Sequence, residues 1–476
     1  MDHKKLASYI GTLWDDAVIP TLVDYIRIPN KSPAFDPDWA RHGYMRDAVS
    51  LFEHWAHDKI TAVPGATLEV VQLPGRTPLL FLELPGECDA TVLLYGHLDK
   101  QPEMKGWAEG TGPWTPLIRE EKLFGRGGAD DGYAMFAALS AVLALKDQKI
   151  PRARAVIVIE ACEESGSYDL PFYVEHLAAR IGEPSLVVCL DSGCGDYDRL
   201  WLTTSLRGNA AGSLSIRVLE EGVHSGAASG IVPSSFRILR QLLSRLENEK
   251  TGAIIPEEFY VSIPAQRIEQ AKAAAQILGE RVYSEFPFAK SVEPVTRDLA
   301  ELILNRTWRP QLAVIGMDGL PSPQNAGNVM LPETTAKLSL RLPPTLCAKN
   351  VNAALKKLFE SDPAYEAEIR FESDPAMTGW DAPALAPWLE SAVETASRAA
   401  FSAPHAAMGE GGSIPFMAML GQRFPNTQFV VTGVLGPHSN AHGPNEFLHI
   451  PTAKRLSACI ATIIAAHGER TTRKNA

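Results

Sequence analysis

The sequence predicts an α/β protein into which a smaller α+β domain is inserted, and three observations carry that prediction. Short runs of Val, Ile and Leu alternate with helix-length apolar stretches, and several of the runs stop at His, Asp or Glu. From about position 206 the pattern changes to alternating strands and amphipathic helices. At 476 residues the chain exceeds what one core usually organises, so two domains are expected.

Taken in order, TVLLYGHLD (91–99) ends at His97 and Asp99, and RAVIVIEACEES (154–165) ends at Glu163 and Glu164. SLVVCLDSG (185–193) ends at Asp191, and QFVVTGVLGPHSNAHG (428–443) leads to His438 and His442. Separated by helical stretches such as YAMFAALSAVLALK (133–146), these runs read as buried strands of one sheet. Ligands bind beyond the carboxyl ends of such strands. One polar residue there is ordinarily a turn or cap residue; His, Asp and Glu at four strand ends point to a shared site. LFGRGGADDGYAMF (123–136) adds Asp130 and Asp131 ahead of a helix. Either aspartate could cap that helix, and a phosphate loop would need the lysine and Ser/Thr that are absent.

Crowded carboxylates repel one another, so they require a cation or raised pKa values to coexist. With imidazoles added, the donor set suits divalent metals bound through nitrogen and oxygen without thiolate. Two adjacent metals would need a bridging carboxylate, and a further carboxylate would remain as general base for a bound water.

A formal charge of −11 argues against nucleic acid or an anionic membrane as partner. No apolar run reaches the roughly 18 residues of a membrane span, and the first residues lack a signal-peptide core, so a cytoplasmic location is expected. The six cysteines are scattered without CxxC spacing and read as reduced thiols.

GHLDKQP (96–102), LFGRGGADDG (123–132), EACEESGS (160–167), LDSG (190–193) and NAHGPNEF (440–447) occur in an order and spacing that resembles the co-catalytic zinc metallopeptidases. These include carnosinase-like dipeptidases, aminoacylase, glutamate carboxypeptidase and succinyl-diaminopimelate desuccinylase; the resemblance spans most of the chain and is nearest to the carnosinase-like members. It implies a zinc-peptidase-like α/β/α catalytic domain and two divalent ions, zinc by expectation, with manganese or cobalt also suited to N/O ligands. His97 and Asp191 would bind one ion, Glu164 and His442 the other, and Asp130 both. Glu163 would be the general base, and Asp99 would hold the far nitrogen of His97. Two departures stand out. Gly132 and Tyr133 follow the paired aspartates where the family commonly has Lys-Gly, and Gly409 in MGEGGSIPF (408–416) stands where arginine is frequent.

The inserted domain reads as β-α-β-β-α-β: SLSIRV (213–218), SSFRILRQLLSRLE (234–247), LAVIG (312–316), AKLSLRL (336–342), NVNAALKKLFES (350–361) and EAEIRF (366–371). That order is ferredoxin-like, interrupted at about 248–310. The expected division is catalytic domain 1–206, lid and dimerisation domain 207–376, and catalytic domain again 377–476. By resemblance the lid carries Arg341, which would bind a substrate carboxylate, and His224 in GVHSGAASG (222–230), which would polarise the scissile carbonyl, often from a partner subunit. A homodimer through the lid is thereby implied. Ser413 with Gly411 and Gly412 would line the C-terminal side of the substrate.

All the family members named hydrolyse an amide. Aspartate at position 191 resembles the dipeptidase members, so hydrolysis of dipeptides or short peptides is expected, with an N-acyl amino acid or N-succinyl-diaminopimelate as the alternative substrate class. A catalytically dead scaffold would have lost Glu163 or a ligand; neither is lost.

Overall fold

A computed structural model describes residues 1–474. Two compact units emerge: Met1–Thr204 with Ala382–Met408 and the chain from Met419 onward, and Ser205–Asp381 with Gly409–Ala418. Gly409–Ala418 thus packs with the second unit, although it lies within the stretch read from sequence as catalytic.

The strands that build the two main sheets and flank the site are β1 (Thr67–Val71), β2 (Leu79–Leu84), β3 (Cys88–His97), β4 (Lys122–Phe124), β5 (Ala153–Glu160), β6 (Leu186–Cys189), β7 (Gly208–Arg217), β8 (Gln311–Asp318), β9 (Glu333–Leu342), β10 (Glu368–Ser373), β11 (Gln428–Val431) and β12 (Phe447–His449). The helices packed on them are α1 (Ala134–Asp147), α2 (Ser235–Leu246), α3 (Ala348–Glu360) and α4 (Ile450–Lys474).

In the first unit six strands lie in the order β1-β2-β5-β3-β6-β11. β3 runs parallel to β5 and β6, and β6 parallel to β11, while β1 and β2 pair antiparallel at one edge. Near-continuous burial along β3, β5 and β6 explains why their sequences are unbroken Val, Ile and Leu: such strands are covered on both faces. Register then aligns their ends. His97 pairs with Glu160, and Tyr95 with Cys189, so the segments leaving these strands emerge on the same side of the sheet.

α1 is buried from Ala134 through Leu145 and packs on β3 and α4, as a helix apolar all round must. Truncating one of its leucines, such as Leu139, should cost about 2–5 kcal/mol. Its approach is close. A Cβ on Gly96 would sit 2.3 Å from the Cβ of Ala134 and 2.6 Å from Asp131 Oδ2, so glycine is required just before His97.

The second unit holds an antiparallel sheet in the order β8-β9-β7-β10, with α2 and α3 completing the expected β-α-β-β-α-β order. Ala336, Leu338, Leu340 and Leu342 of β9 join Leu214, Ile216, Ile238, Leu242 and Leu355 in its core. Strand alternation puts Lys337, Ser339 and Arg341 on the other face. Helices Ala265–Leu278 and Leu299–Thr307 occupy the interruption between α2 and β8. Among the described residues no helix is long and apolar enough to cross a membrane.

Candidate metal centre

The strand-end residues of the first unit converge. Asp130 offers one oxygen to each of two histidines: Oδ1 lies 3.3 Å from His97 Nε2, and Oδ2 lies 3.0 Å from His442 Nε2. Asp191 Oδ1 lies 3.8 Å from His97 Nε2, and Glu164 Oε2 lies 3.3 Å from His442 Nε2. Two groups of donors result, His97 with Asp130 and Asp191, and Asp130 with Glu164 and His442, each with its ligand atoms within 4.8 Å of one another. Asp130 belongs to both. His438, the other histidine of the last strand run, belongs to neither.

Local structure explains these placements. Glu163 and Glu164 open a single helical turn, Glu163–Ser165, shortly after β5. Asp99 fixes that turn: its Oδ1 accepts the amide of Glu163 at 3.1 Å and its Oδ2 that of Glu164 at 3.0 Å. The nearest acceptor to His97 Nδ1 is the Asp99 backbone carbonyl at 3.1 Å, with the carboxylate at 3.5 Å. Asp99 therefore serves the histidine and the glutamate turn together. Gln101 donates to Glu164 Oε2 at 2.5 Å, and Asp131 Oδ2 accepts the amide of His97 at 3.2 Å.

The charges are mutually dependent. Burial lifts Asp191 to about 6 against the pull of His97. Burial and then Asp191 hold Glu163 well above the usual carboxylate range; burial and then Asp130 do the same for Glu164. Burial would likewise raise Asp130, but His442 and His97 hold it far down. Burial opposes charge on His97 too, yet Asp191, Asp130 and Asp99 raise it well above its ordinary value. Carboxylates crowded this way need compensating positive charge. His97 Nε2, Asp130 Oδ2 and Glu164 Oε1 are also buried without a hydrogen bond. Nitrogen and oxygen donors, excess negative charge and unsatisfied atoms aimed inward fit divalent cations.

The departures at 132 and 409 have steric causes. A Cβ on Gly132 would lie 2.3 Å from Tyr25 Cε1, so lysine does not fit there. Tyr133, fully buried, instead donates its hydroxyl to the carbonyl of Leu190, next to Asp191. A Cβ on Gly409 would lie 2.4 Å from Ser205 Oγ and 3.0 Å from Thr307 Cβ, so a larger residue there requires both neighbours to shift.

In the second unit Ser413 Oγ donates to the carbonyl of Arg207, whose Nε donates to Gly411 O at 3.2 Å. Burial, then the adjacent Arg341 and Arg306, lower Arg207 to about 9. Arg207, a residue that sequence reasoning missed, thus bonds Ser413 and Gly411 and feels the charge of Arg341. His224 lies on a separate ribbon, Val223–His224 against Val329–Met330, and its Nδ1 accepts the amide of Gly226 at 3.1 Å. Sequence reasoning met Tyr133 only as a departure from the family pattern and missed Gln101, Arg126 and Glu446; all three stand inside recognisable motifs, and the pairing of Arg126 with Glu446 is a long-range contact.

The sequence and its fold have counterparts among known proteins. Residues 93–466 match the model of peptidase family M20/M25/M40. The human protein named Beta-Ala-His dipeptidase is 26% identical over 98% of this chain and 93% of its own length. A cysteinylglycine-S-conjugate dipeptidase of Corynebacterium striatum is 24% identical over 80% of this chain and 81% of its own. In structure, human carnosine dipeptidase 1 superposes with a TM-score of 0.77 at 21% identity, covering 98% of this chain and 99% of that one.

Proposed function

The chain belongs to peptidase family M20/M25/M40, and on that premise we propose that it hydrolyses the amide bond of dipeptides or short peptides, with two divalent cations and Glu163 as proton carrier. The observation that carries the reading is Asp130, which faces His97 with one oxygen and His442 with the other. His97, Asp130 and Asp191 would hold one ion, and Asp130, Glu164 and His442 the second. The ions, when bound, supply Lewis acidity toward the scissile carbonyl and lower the pKa of the attacking water. Zinc is the expected metal, and manganese or cobalt suits the same donors. The two relatives named above are dipeptidases, which supports the substrate class.

The chain's own residues do the rest. Glu163 sits beside the ligands without belonging to either donor group, on a turn fixed by Asp99. It takes a proton from the attacking water and passes it to the leaving amine nitrogen. Arg341 reads the substrate carboxylate with its planar fork, Ser413 lines the substrate's C-terminal side, and His224 polarises the scissile carbonyl. A homodimer is supported by β8, the edge strand of its sheet, where Val314, Ile315 and Met317 are 47%, 61% and 44% exposed. Exposed apolar edges invite pairing with a second copy. A cytoplasmic location is supported by the free thiols of Cys162, Cys189, Cys347 and Cys459.

A screen of dipeptides and N-acyl amino acids with zinc- or manganese-loaded protein tests this function. Turnover of dipeptides is expected. Turnover of N-acyl amino acids alone, or of nothing in a protein that binds metal, would overturn it.

A further inference from the structure

Four of the five metal-type donors have buried side chains, from 0% exposed at His97 to 9% at Asp191, but the side chain of His442 is 54% exposed. Packing therefore holds the four, and His442 depends on its loop. That loop has a few bonds of its own, Gly443 N to Asn440 O at 2.9 Å and Phe447 N to Ser439 O at 3.1 Å. His438, Asn440, His442 and Asn445 all have left-handed backbones, with φ of 63°, 53°, 64° and 62°, conformations that non-glycine residues adopt only when held.

Asn445 Oδ1 accepts the amide of Ala108 at 2.7 Å, and one buried arginine links the loop to the other donor-bearing stretches. Arg126 Nη2 donates at 2.8 Å to the carbonyl of Gly443, the residue directly after His442. Its Nη1 pairs with Glu446 Oε2 at 2.5 Å, and its Nε donates to Pro102 O at 3.3 Å. The other oxygen of Glu446 accepts the amide of Gly127 at 2.9 Å, at the start of the loop that carries Asp130. Both side chains are sealed, 1% and 0% exposed. One ion pair thus ties three separate stretches together: 96–102, which bears His97; 123–132, which bears Asp130; and 440–447, which bears His442. Lys100, the other buried cation nearby, is engaged by the carbonyls of Tyr25 and Ile28.

We propose that Arg126 and Glu446 are positioning residues that set His442 against Asp130, and so control occupancy of the second cation site more strongly than that of the first. The clamp rests on the dinuclear reading of the centre. A second coordination layer of this kind ordinarily changes metal affinity by about 10–100-fold. Arg126 is suited to the task because a lysine could keep the charge beside Glu446 but could not span Pro102, Gly443 and Glu446 at once.

The test is titration of metal-free Arg126→Lys, Arg126→Met and Glu446→Gln proteins with Co2+, following the visible absorption at each equivalent and competing each ion off with a chelator. The second equivalent should bind about 10–100-fold more weakly in Arg126→Met and less so in Arg126→Lys, with the first within about twofold of wild type. Excess metal should restore kcat. If Arg126→Met fails to fold with Glu446 left unpaired, Arg126→Lys and Glu446→Gln decide. Equal weakening of both equivalents, or no weakening of the second, overturns the clamp. Wild type measured alongside separates the two readings: if it binds two Co2+, the variants judge the clamp alone. If it binds fewer, the dinuclear reading fails and takes the clamp with it.

Discussion

Asp99 Oδ1 accepts the backbone amide of Glu163 at 3.1 Å, so an aspartate of the first histidine motif fixes the turn that bears the proposed base. The companion oxygen holds Glu164 in the same way. Removing both acceptors with Asp99→Ala leaves two amides without their charged partner. Bonds to a charged group are worth about 1.5–3 kcal/mol each, and the variant should lose at least that in denaturant unfolding of the metal-free protein. Asp99→Asn keeps one acceptor and should lose less. Equal stability of Asp99→Ala and wild type would contradict the role.

Glu163→Gln should reduce turnover by about a hundredfold to ten-thousandfold while metal content stays near wild type. Glu164→Gln should instead lose metal, because Glu164 lies in a donor group and Glu163 does not. Metal analysis beside steady-state kinetics distinguishes them. Exchanged phenotypes would reverse the roles.

Arg341→Met keeps the side chain's apolar stem and removes its fork. KM for dipeptides with a free C-terminus should rise about tenfold to a hundredfold, from a charge-assisted bond of about 1.5–3 kcal/mol. Dipeptides with an amidated C-terminus should change much less. Equal losses on both, in folded protein that binds metal, would end the carboxylate assignment.

Away from the site, His467 on α4 is fully buried, bonded to Ser185 Oγ at 2.7 Å, and lowered from 6.5 to about 4 by burial and then by Arg470. Its folded pKa lies below its unfolded one, so the unfolded chain binds the extra proton. The stability it contributes is therefore whole above about pH 6.5 and is lost as pH falls toward 4, about 3 kcal/mol in all at about 1.4 kcal/mol per pH unit. His467→Gln should flatten the pH dependence of unfolding free energy across that interval by about one proton. An unchanged slope would contradict the buried neutral imidazole.

The site was legible where chemistry is written at strand ends. Unbroken Val, Ile and Leu announce strands buried on both faces, and parallel register then forces His97, the Glu163–Glu164 pair and Asp191 to one side. The ferredoxin-like order was legible for a similar reason, since the alternation in β9 sorts core from surface residue by residue. What stayed hidden depends on contacts far apart in the chain. Arg126 and Glu446 are 320 residues apart and read separately as ordinary charges. Asp99 looked like a partner for His97 alone, because backbone amides leave no mark in a sequence. The small sheet in which β12 pairs with β4 was also missed, its strands being only three residues each.

The central claim is that Asp130 joins two ions in one centre. Crystals grown with zinc, with diffraction recorded on both sides of the zinc absorption edge, test it most directly. Two anomalous peaks per chain are predicted, one among His97, Asp130 and Asp191 and the other among Asp130, Glu164 and His442. A single peak, or a second peak away from Asp130, would contradict it.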